Sequence, residues 1–281
     1  MTSTPAPRIT FIGAGNMASA ILSGLLAKGY PADKITLSDP GLDKLTPWQA
    51  QGVNTTQDNA QAVVAAELVI LAVKPQVMRA VCQSLAPALQ QVRPLLMSIA
   101  AGVTTAQLDN WVGGGLAIAR SMPNTPSLLG VGVAGLYAQA GVSATQRSWI
   151  ERVSEATGAG YWVEEEPLLD AVTAISGSGP AYYFLLTEAL ATAGKNLGLP
   201  PELALQLAQG TAFGAGKMLL ESGDEPAELR RKVTSPGGTT EQAIQHFVQG
   251  GLVALVDGAA QAAALRAKSL AQELSAGSEK G

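Results

Sequence analysis

The chain has 281 residues, of which 47% are hydrophobic and only 14% are charged, and its formal net charge is −4. A chain of this length and hydropathy can form two domains and bury a large core, which excludes global disorder. Its acidic balance argues against nucleic-acid binding. The single cysteine excludes a disulfide framework and a cysteine-based zinc site. The single histidine argues against a histidine-rich metal centre and a Ser–His–Asp triad.

The first half of the chain alternates short apolar runs with helical patterns. Five runs predict buried strands, at 9–13, 35–39, 68–73, 95–99 and 116–121. Apolar residues at helical spacing predict a helix from Ala18 to Leu26, and further helices are predicted at 42–51, 57–65, 75–91 and 144–157. Strands separated by helices predict parallel βαβ units, so the expected fold is α/β, with a doubly wound sheet of Rossmann type.

Beyond Glu166 the pattern predicts helices only, at 167–175, 180–197, 202–222, 240–248 and 252–274. The acidic step at 164–166 marks the predicted boundary between a dinucleotide-binding domain, residues 1–165, and an all-helical domain, residues 166–281. A stripe of small residues from Leu252 to Ala263, together with the scarcity of charge, predicts close packing against a second subunit.

The clearest motif is a GxGxxA turn between the first strand and the first helix, formed by Gly13, Ala14, Gly15, Asn16, Met17 and Ala18. Its glycines permit a tight turn and close approach of a pyrophosphate, and the helix N-terminus attracts negative charge. The alternative is a glycine-rich turn without a ligand. Because the following strand ends in Asp39, we predict dinucleotide binding.

Two further segments follow predicted strands. Lys74, in the segment Ala72-Val73-Lys74-Pro75, is placed to meet a phosphate or the substrate, or is simply a solvated lysine before a helix. The prolines of residues 120–126 predict a stiff loop, which either walls a nicotinamide pocket or is only a turn.

Two runs of small residues in the helical half predict anion-binding turns. Ser176-Gly177-Ser178-Gly179-Pro180 precedes one helix, and Ser235-Pro236-Gly237-Gly238-Thr239-Thr240 precedes another, with Thr239 and Gln242 at capping-box spacing. Free backbone N–H groups at a helix N-terminus are a natural carboxylate site. Ordinary helix capping is the alternative, but it needs only one hydroxyl residue, so a small anionic substrate is favoured.

Several features are predicted to carry no chemistry. His246 is expected on a short polar helix face, the basic run 230–232 on an exposed basic face, the acids 164–166 in solvent at the domain boundary, and Cys82 packed in a helix. We expect no membrane span, because the longest charge-free run, 121–146, is broken by prolines and glycines. Residues 1–8 lack the apolar core of a signal peptide, so the cytoplasm is the expected compartment.

These motifs together resemble the pyrroline-5-carboxylate reductase family. The resemblance runs nearly end to end and rests on FIGAGNMA at 11–18, LAVKPQ at 71–76, RSMPNTP at 120–126, DAVTAISGSGPAY at 170–182 and VTSPGGTT at 233–240. It implies a Rossmann domain followed by a helical substrate-binding and dimerisation domain that interlocks with a second subunit. It also implies NAD(P)H-dependent reduction of 1-pyrroline-5-carboxylate to L-proline, by a homodimer or a higher homo-oligomer.

Carried over position by position, the resemblance implies a set of site residues. The predicted cofactor-binding residues are Gly13, Ala14, Gly15, Asn16, Met17, Ser38, Asp39, Asn59, Ala72, Val73, Lys74 and Pro75. The predicted substrate-binding residues are Ser176, Gly177, Ser178, Gly238, Thr239 and Thr240. Backbone N–H groups would hold the substrate carboxylate, and the Thr240 hydroxyl, the predicted catalytic group, would lie near the ring nitrogen.

The expected cofactor is NADPH, with NADH possible. An acid at the end of the second strand usually accepts hydrogen bonds from a ribose 2′-OH and repels a 2′-phosphate. Asp39 stands where family members often have a small or neutral residue, so the chain departs from the family at this position. Ser38 and Asn59 could hold the phosphate if Asp39 turns outward.

Two other functions fit part of the pattern. A β-hydroxyacid dehydrogenase would have a similar two-domain plan and a catalytic lysine, for which Lys195 is the candidate, but it does not need the SGSGP and SPGGTT segments. A dinucleotide-sensing protein without turnover would keep the GxGxxA turn and needs neither segment.

Overall fold

The computed structural model describes residues 6–276 of the chain. Within that range the eight strands are β1 (Ile9–Ile12), β2 (Ile35–Ser38), β3 (Asn54–Thr56), β4 (Leu68–Leu71), β5 (Leu95–Ser98), β6 (Ile118–Met122), β7 (Gly132–Ala138) and β8 (Gly158–Trp162). The first six helices are α1 (Asn16–Ala27), α2 (Leu42–Gln49), α3 (Asn59–Val63), α4 (Pro75–Val92), α5 (Thr105–Trp111) and α6 (Ala144–Glu155). The remaining helices are α7 (Leu168–Val172), α8 (Gly179–Asn196), α9 (Pro201–Glu221), α10 (Pro226–Lys232), α11 (Thr239–Gln249) and α12 (Leu252–Ala276).

The strands form one sheet in the order β3-β2-β1-β4-β5-β6-β7-β8. Neighbouring strands from β3 to β6 are parallel, and helices connect most of them, which confirms the predicted Rossmann-type fold class. All five predicted strands are present. The strand order reverses direction between β1 and β4, and open α/β sheets bind ligands beyond the carboxyl ends of the strands at such a point.

The sheet is mixed rather than wholly parallel, and it has three strands that the sequence pattern missed. β7 pairs antiparallel with β6, because residues 123–131 are too few for a parallel crossover. Its glycines and alanines lie inside the charge-free run 121–146, in which the sequence pattern predicts no strand beyond residue 121. β8 then pairs parallel with β7 at one edge, and the short polar β3 forms the other edge.

The sheet separates two apolar cores. Ile9 and Phe11 of β1 pack with apolar residues of α1 and α6 on one face, whereas Ile12 packs with Met78 and Leu85 of α4 on the other. All five are almost completely buried, and each large apolar side chain removed from water contributes about 1.5–3 kcal/mol. The two cores therefore fix the strand ends, which carry the predicted site residues.

Two compact units can be distinguished in the chain. Of the described residues, the first unit comprises 6–177 and 263–276, and the second comprises 178–262. In the second unit α8 packs against α9, and the described part of the chain after residue 166 is helical, as predicted. Its helices leave many large apolar side chains exposed, including Phe213 at 74% and Leu220 at 85%.

Within residues 6–276 no single helix is long and apolar enough to cross a bilayer. There, α11 and α12 reach the required length and composition only when they are taken together, and the pair is bent by 53°.

Candidate functional site

The first part of the site lies where the carboxyl ends of β1 and β4 meet. Gly13 follows β1, and its backbone N–H donates to the Ser38 carbonyl oxygen of β2 at 2.7 Å. Gly13 has a φ of +101°, and an added Cβ would lie 2.9 Å from the Ala72 carbonyl oxygen and 3.0 Å from Val73 Cγ1. Only glycine fits this turn without moving the backbone.

The turn leads directly into α1. Gly15 is the N-cap, no side chain caps the helix there, and Gly15 and Asn16 are exposed whereas Gly13 and Ala14 are buried. A Cβ added to Gly15 would meet no heavy atom within 4 Å. This N-terminus of a 12-residue helix therefore faces open space, with the N–H groups and positive potential that suit a pyrophosphate.

Asp39, at the end of β2, is tied to the glycine-rich turn. Its Oδ2 accepts a hydrogen bond from the Ala14 backbone N–H at 2.9 Å, and its Oδ1 accepts one from Gly41 N–H at 2.9 Å. The ammonium of Lys44, on α2, lies 3.2 Å from Oδ1 and 3.3 Å from Oδ2. Burial alone would raise the pKa of Asp39, but these hydrogen bonds outweigh it and hold the pKa below its usual range. The carboxylate is therefore charged at neutral pH.

Ser38 and Asn59 form a second pair beside Asp39. The Ser38 hydroxyl donates to Asn59 Oδ1 at 2.7 Å, and Asn59 is the first residue of α3, whose N-cap Asp58 accepts from Ala60 and Gln61 N–H. Ser38 is fully buried and Asn59 is half-buried. The pair thus lies at the carboxyl end of β2, next to the acid.

The segment after β4 lies beside these residues, at the carboxyl ends of the strands. Ala72 and Val73 are half-buried, Lys74 is the exposed N-cap of α4, and Pro75 is its first residue. Ala72 N–H donates to the Ile12 carbonyl oxygen at 2.8 Å, which joins the ends of β1 and β4. The structure therefore brings the predicted cofactor residues together at the carboxyl ends of β1, β2 and β4. Their binding roles stay predictions.

The SGSGP segment is not the simple turn that the sequence predicted. Ser176 and Gly177 end a π-helical segment, Thr173–Gly177, that continues α7. Ser178 is the N-cap of α8, so Pro180 is the second residue of that helix and not the first. The Ser176 hydroxyl donates to the Val172 carbonyl oxygen at 3.0 Å. Wide helical turns of this kind are frequent at functional sites.

The second predicted anion turn lies in residues 178–262. α11 begins at Thr239 and its N-cap is Gly238, so the capping box expected between Thr239 and Gln242 is wrong. Gly237 N–H instead donates to the Glu241 carboxylate at 2.8 Å. A glycine at the cap leaves both threonine side chains out of the capping interaction; Thr239 is exposed and Thr240 is half-buried.

Glu166 was expected in solvent and is instead part of a buried network. Its Oε1 accepts from Thr105 N–H at 2.7 Å and from Arg120 Nη1 at 2.8 Å, and its Oε2 accepts from the Thr105 hydroxyl at 2.6 Å. Arg120 is 6% exposed. Neighbouring Asp170 has its pKa raised by burial, although Arg120 and Lys268 oppose that shift and Glu166 adds to it. The network joins β6 and α5 to the chain before α7.

The predicted exposure of His246 and of residues 230–232 and the predicted packing of Cys82 are confirmed; that these residues carry no chemistry stays a prediction. His246 and residues 230–232 are exposed, and the basic run ends helix α10, which the sequence pattern missed. Cys82 is completely buried, and burial raises the pKa of its thiol to about 12. Within residues 6–276 no cluster of three or more His, Cys, Asp or Glu side chains is placed to hold a metal ion.

Comparison with known proteins gives two profile matches and many full-length relatives. A family described as pyrroline-5-carboxylate reductase dimerisation matches residues 166–270, and one described as NADP oxidoreductase, coenzyme F420-dependent, matches residues 8–102. The chain is 50% identical over 269 residues to the pyrroline-5-carboxylate reductase of Pseudomonas aeruginosa, covering 95% of this chain and 98% of that one. It is 37% identical to the Arabidopsis thaliana enzyme of the same name, covering 94% of this chain and 96% of that one.

Solved structures agree with the sequence relatives. The fold is similar to a pyrroline-5-carboxylate reductase from Coxiella burnetii, with a TM-score of 0.92, 44% identity and coverage of 95% of this chain and 99% of that one. It is also similar to a Plasmodium falciparum pyrroline carboxylate reductase with NADP bound, with a TM-score of 0.81, 28% identity and coverage of 94% and 98%.

Proposed function

The chain belongs to the pyrroline-5-carboxylate reductase family. We therefore propose that it binds NADPH at the carboxyl ends of β1, β2 and β4. The enzyme reduces 1-pyrroline-5-carboxylate to L-proline, the last step of proline biosynthesis, and is a nicotinamide-dependent oxidoreductase. The observation that carries the site assignment is the Gly13 turn, which packs against the end of β4 while the N-terminus of α1 stays open.

The residues present fit a dinucleotide. Gly13, Ala14, Gly15, Asn16 and Met17 would hold the pyrophosphate, with Gly15 leaving room for a close approach. Ser38, Asp39 and Asn59 would face the adenosine ribose, and residues 72–75 would lie beside the nicotinamide. One departure is that Ala14 N–H already donates to Asp39, so Ala14 would contribute through packing and not through that N–H group.

NADPH is proposed ahead of NADH, and two observations support it. The ammonium of Lys44 lies 3.2 Å from the Asp39 carboxylate and offsets its charge. Both Asp39 oxygens are also occupied by backbone donors, so the acid is less available to accept from a ribose hydroxyl than an acid with free lone pairs. In this proposal the Ser38–Asn59 pair and the Lys44 ammonium, which is paired with the next residue, Asp39, would hold a 2′-phosphate.

Catalysis in this proposal needs little from protein acids or bases. A bound dihydronicotinamide supplies the hydride, and a protonated cyclic imine already has an electrophilic carbon. The chain's own residues then position the reactants and exclude water. This agrees with a site that has no histidine among its predicted residues.

The substrate residues carry the second half of the proposal. Residues 176–178 and 238–240 would hold the carboxylate through backbone N–H groups, and the Thr240 hydroxyl would orient the ring nitrogen. Thr240 is half-buried, and the helix cap does not engage its side chain. Its hydroxyl is therefore not committed to capping α11.

We further propose a homodimer or higher homo-oligomer, with residues 1–165 as the dinucleotide-binding domain and 166–281 as the substrate-binding and dimerisation domain. The dimerisation profile, which begins at residue 166, and the exposed apolar side chains of α8, α9 and α12 support this. The cytoplasm is the proposed compartment, since the one cysteine is buried and unpaired.

The test is a hydride-transfer assay. Purified protein should oxidise NADPH on addition of 1-pyrroline-5-carboxylate and yield proline in equal amount. A 3-hydroxyacid with NAD is the matched control for the β-hydroxyacid dehydrogenase alternative. Oxidation of NADPH that stays at background over a range of imine concentrations would overturn the proposal, and turnover of the 3-hydroxyacid alone would favour the alternative.

A further inference from the structure

The side chain of Asn124, in the loop after β6, uses both ends of its amide group inside the protein. Its Nδ2 donates a hydrogen bond to the Ser176 carbonyl oxygen at 3.0 Å, and its Oδ1 accepts one from the Val133 backbone N–H at 2.9 Å. Asn124 is 8% exposed. Because one partner is an acceptor and the other a donor, only one orientation of the amide satisfies both.

The loop that carries Asn124 is stiff. Pro123 and Pro126 fix the backbone φ on either side of it. The Asn124 carbonyl oxygen also accepts a hydrogen bond from Ser127 N–H at 3.1 Å, where the short 3₁₀ helix Thr125–Leu129 begins. Hydrogen bonds hold the Asn124 backbone and both ends of its side chain. Its position is therefore well defined, and it can orient the segment that it contacts.

The segment aligned in this way is the π-helical segment Thr173–Gly177, which leads into α8. The same segment also packs closely against the end of β6 at Gly177. A Cβ added to Gly177 would lie only 3.0 Å from Met122 Cε of β6. Carbonyl groups at the end of a helical segment lack the full set of helical partners and need others. Asn124 supplies one to Ser176.

We propose that Asn124 is a positioning residue for substrate binding. By holding the Ser176 carbonyl oxygen, it fixes the backbone of Ser176 and Gly177, whose N–H groups are proposed to bind the substrate carboxylate. This inference rests on the substrate role proposed above for those residues. Asn124 itself does not touch the reacting atoms; it acts through Ser176.

The substitution Asn124→Asp tests this with almost no change of shape. One carboxylate oxygen keeps the acceptor for Val133 N–H, but the donor to Ser176 is lost and a second oxygen faces that carbonyl. We expect the KM for 1-pyrroline-5-carboxylate to rise about tenfold, because the loss of one buried hydrogen bond weakens binding by about that factor. We expect kcat to change less than about threefold and the Kd for NADPH, from fluorescence titration, less than about twofold.

Two further variants complete the experiment. Asn54→Asp is the matched control, because Asn54 Nδ2 also donates to backbone carbonyl oxygens, of Asp33 and Ile35, at 2.8 and 3.2 Å, but near the amino end of β2, away from the proposed site. It should leave the KM unchanged. If Asn124→Asp fails to fold, Asn124→Ala removes the same donor without adding a charge, and the same split between KM and Kd is expected.

An unchanged KM in a folded Asn124 variant would overturn the inference. A KM and an NADPH Kd that weaken in parallel would also overturn it, because that pattern indicates a general loss of structure. If the wild-type chain does not reduce the imine, it is the proposed function that fails, and the two failures are thereby distinguished.

Discussion

Replacing Asp39 with serine should change cofactor preference and stability at once. The carboxylate accepts hydrogen bonds from Ala14 and Gly41 N–H and pairs with the Lys44 ammonium. Serine is too short to reach all three partners. The substitution therefore removes a negative charge from the proposed 2′ side of the ribose and also loosens the glycine-rich turn.

The size of both effects follows from the contacts. Two unit charges about 6 Å apart repel by about 3 kcal/mol at an effective dielectric constant of about 20. If the nearby Lys44 ammonium offsets about half of this, about 1.4 kcal/mol remains, or about a tenfold shift of the NADPH/NADH ratio of kcat/KM toward NADPH. Losing one charge-assisted hydrogen bond to a buried N–H lowers the free energy of unfolding by about 2 kcal/mol and Tm by about 4–8 °C.

The assay compares kcat/KM for NADPH and NADH at saturating imine in three variants. Asp39→Ser should raise the NADPH/NADH ratio, and Lys44→Met should lower it, since the uncompensated carboxylate then repels a 2′-phosphate. Lys34→Met is the control, because the Lys34 ammonium donates to the Ala6 carbonyl oxygen at 3.0 Å, near the amino end of β2. It should leave the ratio unchanged.

Stability gives an independent check through pH. The pKa of folded Asp39 lies below its ordinary value of 3.8, so its contribution is complete above that value and is lost as pH falls below it. The difference in Tm between the wild type and Asp39→Ser should therefore shrink below about pH 4. If Tm falls as expected but neither substitution changes the cofactor ratio, Asp39 braces the turn without facing the 2′ position, and the electrostatic reasoning is refuted.

Three further predictions address catalysis, assembly and the thiol. Thr240→Val keeps the side-chain shape and removes one hydroxyl, so kcat should fall about 10- to 100-fold with little change in cofactor KM; a wild-type kcat in steady-state kinetics would remove Thr240 from the mechanism. Light scattering at micromolar concentration should give a particle of at least twice 28.7 kDa, and a fully active monomer would contradict the proposed interface. Cys82, whose pKa is about 12 through burial, should react with a disulfide reagent at pH 8 only in denaturant; rapid reaction of the folded protein would show that α4 opens.

The sequence predicts the part of the fold in which strong local patterns and topology agree. Apolar runs bounded by turns located β1, β2, β4, β5 and β6, and the periodicity after Glu166 located the long helices. β7 was missed because most of its buried positions are glycine or alanine. These small residues do not produce the clear alternation of apolar and polar side chains by which a strand is predicted. β3 was missed because its three residues, Asn54–Thr56, are polar and become a strand only by pairing with β2.

The site was predictable in its residue types and not in its connections. Glycine spacing pointed to Gly13 and Gly15, because the turn dictates them locally. The Asn124 bond to Ser176 joins residues 52 apart, and the Glu166 bond to Thr105 joins residues 61 apart. No local pattern encodes such pairs. A buried Arg120 on a strand was the one available signal, since a buried guanidinium requires a carboxylate partner.

Asp39 shows why a residue at a strand end resists a single interpretation. Sequence reasoning gave it one task, to accept from a ribose hydroxyl, but its Oδ2 already accepts from the N–H of Ala14, in the turn that is proposed to bind the pyrophosphate. The geometry of the turn and the charge at the proposed 2′ side of the ribose therefore depend on one carboxylate. A change of cofactor preference made at Asp39 costs turn stability, whereas a change made at Lys44, which is half-exposed, alters the charge and leaves both backbone hydrogen bonds in place. We therefore expect Lys44→Met to change cofactor preference with a smaller fall in Tm than Asp39→Ser.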